Sequence, residues 1–421
     1  MAVLAVTGKP AAGVNYTVTT ASSADWASVS NSTYFYDLTD KLVHYKDSTG
    51  AVLEIFSAGG LTYFTEAQNT TAPNATVPVD SLTAVTATTN GDIAIVPKGT
   101  GAFSLAVADN LASGGNKRGT NAVDLQSIRS SNSQVASGVS SFLAGNGSTA
   151  SGSYSSAIGY ANNASGTYSS AIGYGNIANN TFSYAFGSSC TASNSNSIAM
   201  GNRAKATGDS SICLGNYYYA DSIASGGNSI VVGYGSATQG RGLCLGFNNF
   251  TSNTNSSAIG DSANTFLTIG RIAFGGSSIS GTAGDIQKGI ISYRQRTTDA
   301  TPTILTTNNS TTLNDNAGAQ LALQNQQVMR FKGSITAKKS GTTDIAVWDI
   351  DGVIVRGANI ASTVLTVSNV NVVTNIPLWV TPILAANLST SVGGLMITVT
   401  GVVATNIQWF AVLDTVENIY A

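Results

Sequence analysis

The chain has 421 residues, of which 10% are charged and 43% are hydrophobic, and its formal net charge is −2. This balance gives no electrostatic case for nucleic-acid binding, and so large an apolar share argues against a disordered chain. The most apolar segment, residues 370–388, is interrupted by Asn375, Pro377 and Pro382, so no membrane insertion is predicted. A composition dominated by Gly, Ser, Thr, Asn and Ala favours an extended, surface-exposed all-β protein.

Residues 1–78 are predicted to form a separate N-terminal β domain. Apolar runs on both sides of the turn at residues 47–50 predict a hairpin, and Tyr34–Tyr36 predicts a further strand. The Asn/Thr-rich stretch at residues 69–76, which contains a proline, marks a linker. The only histidine, His44, lies on the hairpin, where we expect a structural role.

Residues 79–135 form a β segment that leads into a repeat. Its Gly-rich turn, Pro97–Ala102, lacks the Gly-Lys-Ser/Thr ending and the following helix of a phosphate-binding loop. The three cysteines, Cys190, Cys213 and Cys244, are odd in number, and two of them replace alanine in a column of the repeat. We therefore predict no cofactor and no metal site, and we expect the cysteines to be small apolar fillers.

A fourteen-residue repeat with the core phrase Ser-x-Ala-x-Gly organises residues 136–270. A short period that is kept over many copies predicts stacked units, each burying a face on its neighbours. After Gly215 the spacing becomes irregular, and we assign Gly270 as the last repeat glycine. The structural repeat glycines, expected to allow sharp turns between short strands, are Gly145, Gly159, Gly173, Gly187, Gly201, Gly215, Gly233, Gly246 and Gly260.

Two adjacent columns of the repeat are apolar. Counted back from each glycine, position −2 holds small residues such as Ala157 and Ala171, and position −1 holds larger ones such as Ile158 and Phe186. Because adjacent strand residues point to opposite faces, two apolar columns predict two buried faces. One face can fill the inside of a coil, and the other needs a partner surface. We therefore predict a closed cyclic homotrimer.

The phrases Asn196–Gly201, Asn228–Gly233 and Asn255–Gly260 resemble the head repeat of YadA-type trimeric adhesins. The resemblance covers about a third of the chain, and it implies a left-handed parallel β-roll built by three chains side by side. The phrases Pro97–Ala102 and Gly114–Thr120 resemble the shaft entry of bacteriophage fibre proteins. A fold resemblance of this kind predicts architecture more strongly than it predicts function.

One insertion in the repeat places Tyr217, Tyr218 and Tyr219 side by side. Insertions in solenoids form loops on one face, which is often the binding face, and three adjacent rings could stack on sugar rings. These tyrosines are the receptor-binding candidates. Packing against a neighbouring chain is the alternative.

After a Gly/Ser-rich linker at residues 271–286, residues 287–421 are predicted to form a β-sandwich-like domain. Its Trp348, Trp379 and Trp409 are expected in the core or at a trimer seam. The phrases Thr297–Leu305, Ala346–Trp348 and Arg356–Asn359 resemble the C-terminal domain of phage fibre proteins. The candidate strands, separated by turn signals, are residues 328–338, 343–355, 363–373, 395–402 and 407–415.

Together these elements predict a structural fibre on the outside of a bacteriophage virion, on its capsid or its tail. The N-terminal domain would bind capsid or tail proteins, and the C-terminal domain would contact a host-surface receptor such as a glycan. A bacterial surface trimeric adhesin is the alternative, but the sequence pattern predicts neither a signal peptide nor a heptad stalk nor a membrane anchor.

A polysaccharide-cleaving tailspike is a third function. Glycoside hydrolysis generally uses a pair of carboxylates, and the acids of residues 131–270 are limited to Asp209, Asp221 and Asp261. In the C-terminal domain, Asp349 and Asp351 share a strand face, which is an ordinary arrangement. We therefore expect no enzymatic activity and assign no catalytic residue.

Overall fold

In the computed structural model the chain is all-β, and the part of the chain that it describes contains no α-helix. Nor does any described residue belong to a helix that is long and apolar enough to cross a membrane. The chain divides into two compact units, Met1–Val96 and Pro97–Ala421. The structure describes residues 19–21, 31, 33–37, 43–46, 48–50, 52–54, 64–69, 79–84 and 95–420, apart from 217–219, 238–239, 267, 310–318 and 388–392.

The described strands of the first unit form two small sheets. One sheet has the order β1-β2-β3-β4, and β5 pairs with β6 in the other. The predicted hairpin is confirmed, because β3 pairs antiparallel with β4 and places a buried His44 opposite Glu54. The strands are β1 (Thr19–Ala21), β2 (Thr33–Asp37), β3 (Val43–Lys46), β4 (Val52–Glu54), β5 (Phe64–Asn69) and β6 (Val79–Ala84).

The second unit begins with a parallel β-solenoid of about ten turns. Most turns contain one longer strand, which carries the repeat glycine, and one short strand. In chain order the strands are β7 (Phe103–Ser104), β8 (Val123–Ile128), β9 (Phe142–Asn146), β10 (Thr149–Ala150), β11 (Ser156–Tyr160), β12 (Asn163–Ala164), β13 (Ser170–Tyr174), β14 (Ile177–Ala178), β15 (Tyr184–Ser188), β16 (Thr191–Ala192), β17 (Ile198–Asn202), β18 (Ala204–Ala206), β19 (Ile212–Asn216), β20 (Ser222–Ala224), β21 (Ile230–Ala237), β22 (Leu243–Thr251), β23 (Ser257–Asp261) and β24 (Ile272–Gly276).

The predicted register of residue i beside residue i+14 is confirmed from β9 to β19. In β11 and β13, for example, Gly159 lies opposite Gly173, and the neighbouring pairs keep the same step. The assignment of Gly270 as the last repeat glycine is wrong. Gly275 lies opposite Gly260, because the last turn is one residue longer than the repeat and Gly270 lies in the bend that precedes β24.

The inside of the solenoid is filled by small side chains. From β9 onward the −2 residues of the longer strands are buried; the first is Leu143, and the others are alanine, cysteine or valine. Coils lined by side chains this small must be narrow, since protein interiors are close-packed. The −2 column therefore forms the core of the solenoid, as the sequence predicts.

The C-terminal region continues the last turn of the solenoid directly, because β24 pairs antiparallel with β25. From β25 the antiparallel order is β25-β33-β28-β29-β30. A second sheet is formed by β26, β32 and β27, with β31 beside β32. The elements are β25 (Ile286–Thr297), β26 (Pro302–Ile304), β27 (Leu321–Ala322), β28 (Gln327–Lys339), β29 (Ile345–Arg356), a 3₁₀ helix (Ile360–Ser362), β30 (Thr363–Asn375), β31 (Ile383–Asn387), β32 (Gly394–Thr400) and β33 (Ile407–Ile419).

Both C-terminal sheets contribute to one hydrophobic core, as in a sandwich. Trp348 and Trp409 are fully buried there, with their ring centroids 5.9 Å apart, and Trp379 packs at 6.2 Å from Trp409. The predicted C-terminal strands correspond to β28, β29, β30, β32 and β33. The domain boundaries proposed from the sequence stay predictions, although β24 lies inside the stretch 271–286, where the sequence predicts a linker.

A buried ion pair connects the solenoid to the last strand of the chain. Arg271, which precedes β24, donates to Glu417 of β33, and both side chains are fully enclosed. Glu417 also accepts hydrogen bonds from Gln287 and Gln327, each at 3.1 Å. Phe266 lies under the Arg271 guanidinium at 5.6 Å. Buried charges need partners of this kind, since removing an ion from water is costly.

Candidate functional site

The outer face of the longer solenoid strands carries an apolar stripe that the described part of the chain leaves partly exposed. We call it the −1 stripe. Along it Met200 is 42% exposed, whereas its strand neighbour Ala199 is fully buried. The stripe consists of Ile158, Ile172, Phe186, Met200, Leu214, Val232, Leu245, Ile259 and Phe274, which lie opposite one another in successive turns.

The −1 stripe becomes wider in its central turns. The residues at position −3 point to the same face, since side chains alternate along a strand. This position is serine in β11 and β13, but it is Tyr184 in β15 and Ile198 in β17. The Tyr184 ring lies 6.3 Å from that of Phe186. A continuous apolar surface of this extent on one face of a solenoid is typical of an interaction surface.

The repeat glycines lie where two turns approach each other most closely. Gly173 has φ +120, and a Cβ atom built there would lie 2.1 Å from the carbonyl oxygen of Gly187. Eight of the nine repeat glycines named above share this left-handed φ. Gly215 does not; a Cβ atom there would instead meet the side chain of Ser222 at 2.9 Å. The exception directly precedes the insertion that contains the three tyrosines.

The candidate receptor-binding residues Tyr217, Tyr218 and Tyr219 lie outside the described residues. The next acidic residue, Asp221, contacts Arg203 at 2.9 Å and Lys205 at 2.5 Å. Partial burial opposes ionisation of Asp221, but the hydrogen bonds and charges of Lys205 and Arg203 lower the pKa of its carboxyl. A charged cluster therefore stands beside the insertion in an otherwise weakly charged solenoid.

A polar ladder inside the solenoid was not found by reasoning from the sequence. Asn176 donates to the carbonyls of Ile172 and Gly187, at 2.8 and 2.7 Å, and accepts from the backbone N–H of Cys190 at 2.9 Å. The signal for it is an asparagine three residues after a repeat glycine. Other members that donate to a repeat-glycine carbonyl are Ser148, Asn162, Cys190, Ser222 and Asn249.

All three cysteines are buried and free of disulfides. Cys213 and Cys244 lie in the −2 column, and Cys190 lies in the polar ladder. Desolvation raises the pKa of the Cys213 thiol to about 12, so it stays protonated at neutral pH. Within the part of the chain that is described, no three His, Cys, Asp or Glu side chains come together as metal ligands would.

Exposed aromatic rings form two further ladders at the turns. Tyr154 stacks on Tyr168 with centroids 4.9 Å apart, and Tyr168 stacks on Phe182 at 5.0 Å. A second ladder pairs Tyr160 with Tyr174 at 5.2 Å. The spacing follows the distance between neighbouring strands. Because the rings cover one another's faces, these ladders stabilise the stacking of turns.

Three segments of the solenoid, residues 136–162, 164–189 and 192–217, match the family model described as the YadA head domain repeat (2 copies). Comparison of the chain with curated proteins gives no match. The matched segments occupy the turns that keep the strict fourteen-residue step. Together with the β-solenoid, they support a YadA-like β-roll fibre. Fibres of this kind are typically structural or adhesive.

Proposed function

We propose that the protein is a homotrimeric structural fibre of a bacteriophage virion. In this proposal residues 1–78 anchor it to a capsid or tail protein, and residues 287–421 face a receptor on the host surface. The virion setting is supported by the resemblance of the segments that flank the solenoid to phage fibre proteins. Three copies of the C-terminal domain would let weak contacts add through multivalency.

The −1 stripe is the observation that carries the trimer. A single chain leaves this face in water, whereas a closed ring of three chains around a shared axis would bury it in every copy. The YadA head repeats of the solenoid support the same assembly. Burial of apolar area is the main favourable term in such an association.

A pair of matched variants tests the trimer. Ile172→Glu places a charge in the −1 stripe, and Ile177→Glu places one on the outer side of the short strand β14. Ile177 is 38% exposed, and its column is polar in most turns, with Asn163 and Thr191 beside it. We expect Ile172→Glu to dissociate the trimer and Ile177→Glu to leave it intact. Equal behaviour of the two variants in sedimentation would contradict the proposal.

The virion setting needs a separate experiment. Gold-labelled tags at the two ends of the chain, viewed on intact particles, should place the N-terminal tag at the particle surface and the C-terminal tag at the far end of a projection. The opposite order would reverse the proposed orientation.

A bacterial surface trimeric adhesin remains the second candidate, because the YadA head repeat fits it equally well. Recovery of the protein in bacterial envelopes, without particles, would favour it. For a tailspike, the C-terminal acids give little support. Asp349 accepts from Ser334 at 2.7 Å and Asp351 accepts from Asn369 at 3.2 Å, so both are held in ordinary cross-strand contacts.

A further inference from the structure

An open pocket lies at one end of the first C-terminal sheet. It encloses about 650 Å³, a size suited to a small ligand or to one or two sugar units. Its lining includes the buried residues Gln295 of β25 and Ile407 of β33. The side chains that matter for its chemistry are Arg294, Arg296, Lys338, Ser340, Asn406 and Gln408.

Strand register brings the three cations together. Arg296 lies opposite Gln408 on one side, and Lys338 lies opposite Gln408 on the other. Arg294 is two residues from Arg296 and therefore points to the same face. Directly opposed residues in an antiparallel sheet have Cβ atoms about 5 Å apart, so the Cβ atoms of Arg296 and Lys338, with Gln408 between them, lie within roughly 10 Å of each other. A backbone hydrogen bond of 3.0 Å from Ser340 to Asn406 holds the adjoining loops together.

The described residues that line this pocket carry positive charge only. No aspartate or glutamate is among the described residues that line it. Lys338 donates to the carbonyl oxygen of Thr342, a neutral acceptor. Two other lysines of the same domain do have acidic partners, Lys288 with Asp414 and Lys339 with Asp344. A concave site with one sign of charge concentrates ligands of the opposite sign.

The other side chains favour a sugar as the carrier of the negative charge. Two guanidinium groups match the planar fork of a carboxylate, and the amides of Asn406 and Gln408 suit sugar hydroxyls. Phe410 lies opposite Arg294 and is 45% exposed, so it offers an apolar ring beside the cations. A nucleic-acid backbone would instead call for cations spread along a track.

We propose that the pocket formed by Arg294, Arg296, Lys338 and Gln408 binds a carboxylate-bearing sugar of an acidic polysaccharide. This inference supplies the receptor chemistry for the attachment role proposed above and rests on that role for its biological setting. The pocket itself belongs to a single chain, so its binding can be measured on the purified full-length protein.

The test measures binding of acidic oligosaccharides by calorimetry at physiological salt. The probes are oligomers of galacturonate, of glucuronate with N-acetylglucosamine, and of sialic acid, each beside its methyl ester. We expect at least one acid to bind and its ester to bind at least about tenfold more weakly, since a hydrogen-bonded charge is lost. Arg296→Gln and Lys338→Gln should each weaken binding by about tenfold.

Arg330→Gln is the matched control, because Arg330 is exposed on the same sheet face but does not line the pocket. It should change the affinity by less than about twofold, since exposed charges contribute little at a distance. Should a glutamine variant fail to fold, Arg296→Lys replaces it. That variant keeps the charge but loses the fork, and weaker binding is again expected.

Several results would overturn the proposal. One is equal affinity for an acid and its ester, and another is an equal loss of affinity in Arg296→Gln and Arg330→Gln. A third is no binding of any of the three acids. A fourth is binding of dextran sulfate that is equally tight and is weakened by the same variants. The last would make the pocket a general anion site. If no acid binds but particles still attach to cells through this protein, the pocket assignment fails and the attachment role stands. If acids bind but the protein has no part in attachment, the pocket assignment stands and the attachment role fails.

Discussion

The solenoid and the C-terminal sandwich have different kinds of core. In the solenoid the interior column is made of residues such as Ala157 and Ala171, and each turn pairs with the turn fourteen residues away. In the sandwich the core contains Trp348, Trp409 and Phe331. Some of its paired strands are far apart in the sequence, since β25 pairs with β33 along its full length.

This difference explains why the solenoid alone leaves an apolar face uncovered. A coil filled by alanine has no room for larger side chains, so the isoleucine, phenylalanine and methionine of its strands must lie outside. The sandwich encloses its tryptophans and other large core side chains between two sheets, although Val372 and Val416 on its strands are exposed. The solenoid is therefore stabilised by neighbouring turns and, in our proposal, by neighbouring chains.

The largest effect is expected from a charge in the narrow interior. Ala171→Asp buries a carboxylate without a partner and should lower the free energy of unfolding of the solenoid by about 3–5 kcal/mol. The control Asn163→Asp, at an exposed position of an adjacent turn, should change it by less than about 0.5 kcal/mol. Equal melting temperatures for the two variants would show that the −2 column is not confined.

The next largest loss of stability is expected at the junction between the solenoid and the C-terminal sandwich. Glu417→Gln removes the buried partner of Arg271 and should cost about 3 kcal/mol, because the arginine stays buried without a countercharge. Asp414→Asn removes the exposed contact with Lys288, which spans 3.3 Å, and should cost less than about 1 kcal/mol. Chemical denaturation followed by tryptophan fluorescence measures both losses of stability. Similar unfolding midpoints for Glu417→Gln and Asp414→Asn would argue against a structural role for the buried pair.

A comparison of Gly173 with Gly175 tests how closely neighbouring turns of the solenoid approach each other. Gly173→Ala should destabilise the solenoid by about 2–3 kcal/mol, from backbone strain and from contact with the Gly187 carbonyl. Gly175 also has a left-handed φ of +62, but a Cβ atom there would come no closer than 3.9 Å to Ser189. Gly175→Ala should therefore cost about 1 kcal/mol. Thermal unfolding measures both losses of stability. A larger loss in Gly175→Ala than in Gly173→Ala would contradict the close approach of the two turns at Gly173.

The polar ladder gives the smallest effect. Asn176→Ala leaves partly buried carbonyl groups of two turns without their side-chain donor and should cost about 1–3 kcal/mol. Asn179→Ala, at an exposed position three residues further along the same turn, is the control and should be close to neutral. Amide hydrogen exchange at Cys190 should become faster in Asn176→Ala and not in Asn179→Ala, since the Cys190 N–H donates to Asn176. Unchanged exchange would mean that the ladder contributes nothing.

The two regions also differ in how far the sequence predicts them. A fixed period makes the register of the solenoid visible, and the alternation of small and large residues shows which column is inside. The polar ladder was missed because asparagine in a Gly/Asn-rich repeat is no signal by itself. In the C-terminal domain, alternation locates strands such as β28, but Arg271 and Glu417, which pair, are 146 positions apart in the sequence. Local patterns carry no information on such a contact.

The mass of the assembled protein in solution distinguishes a trimer from a monomer. We expect light scattering on the full chain, at micromolar concentration, to give three times the chain mass of 42.8 kDa. The same measurement on Ile172→Glu should give a smaller species with retained β-structure. A folded wild-type monomer, with the −1 stripe in water, would contradict the account.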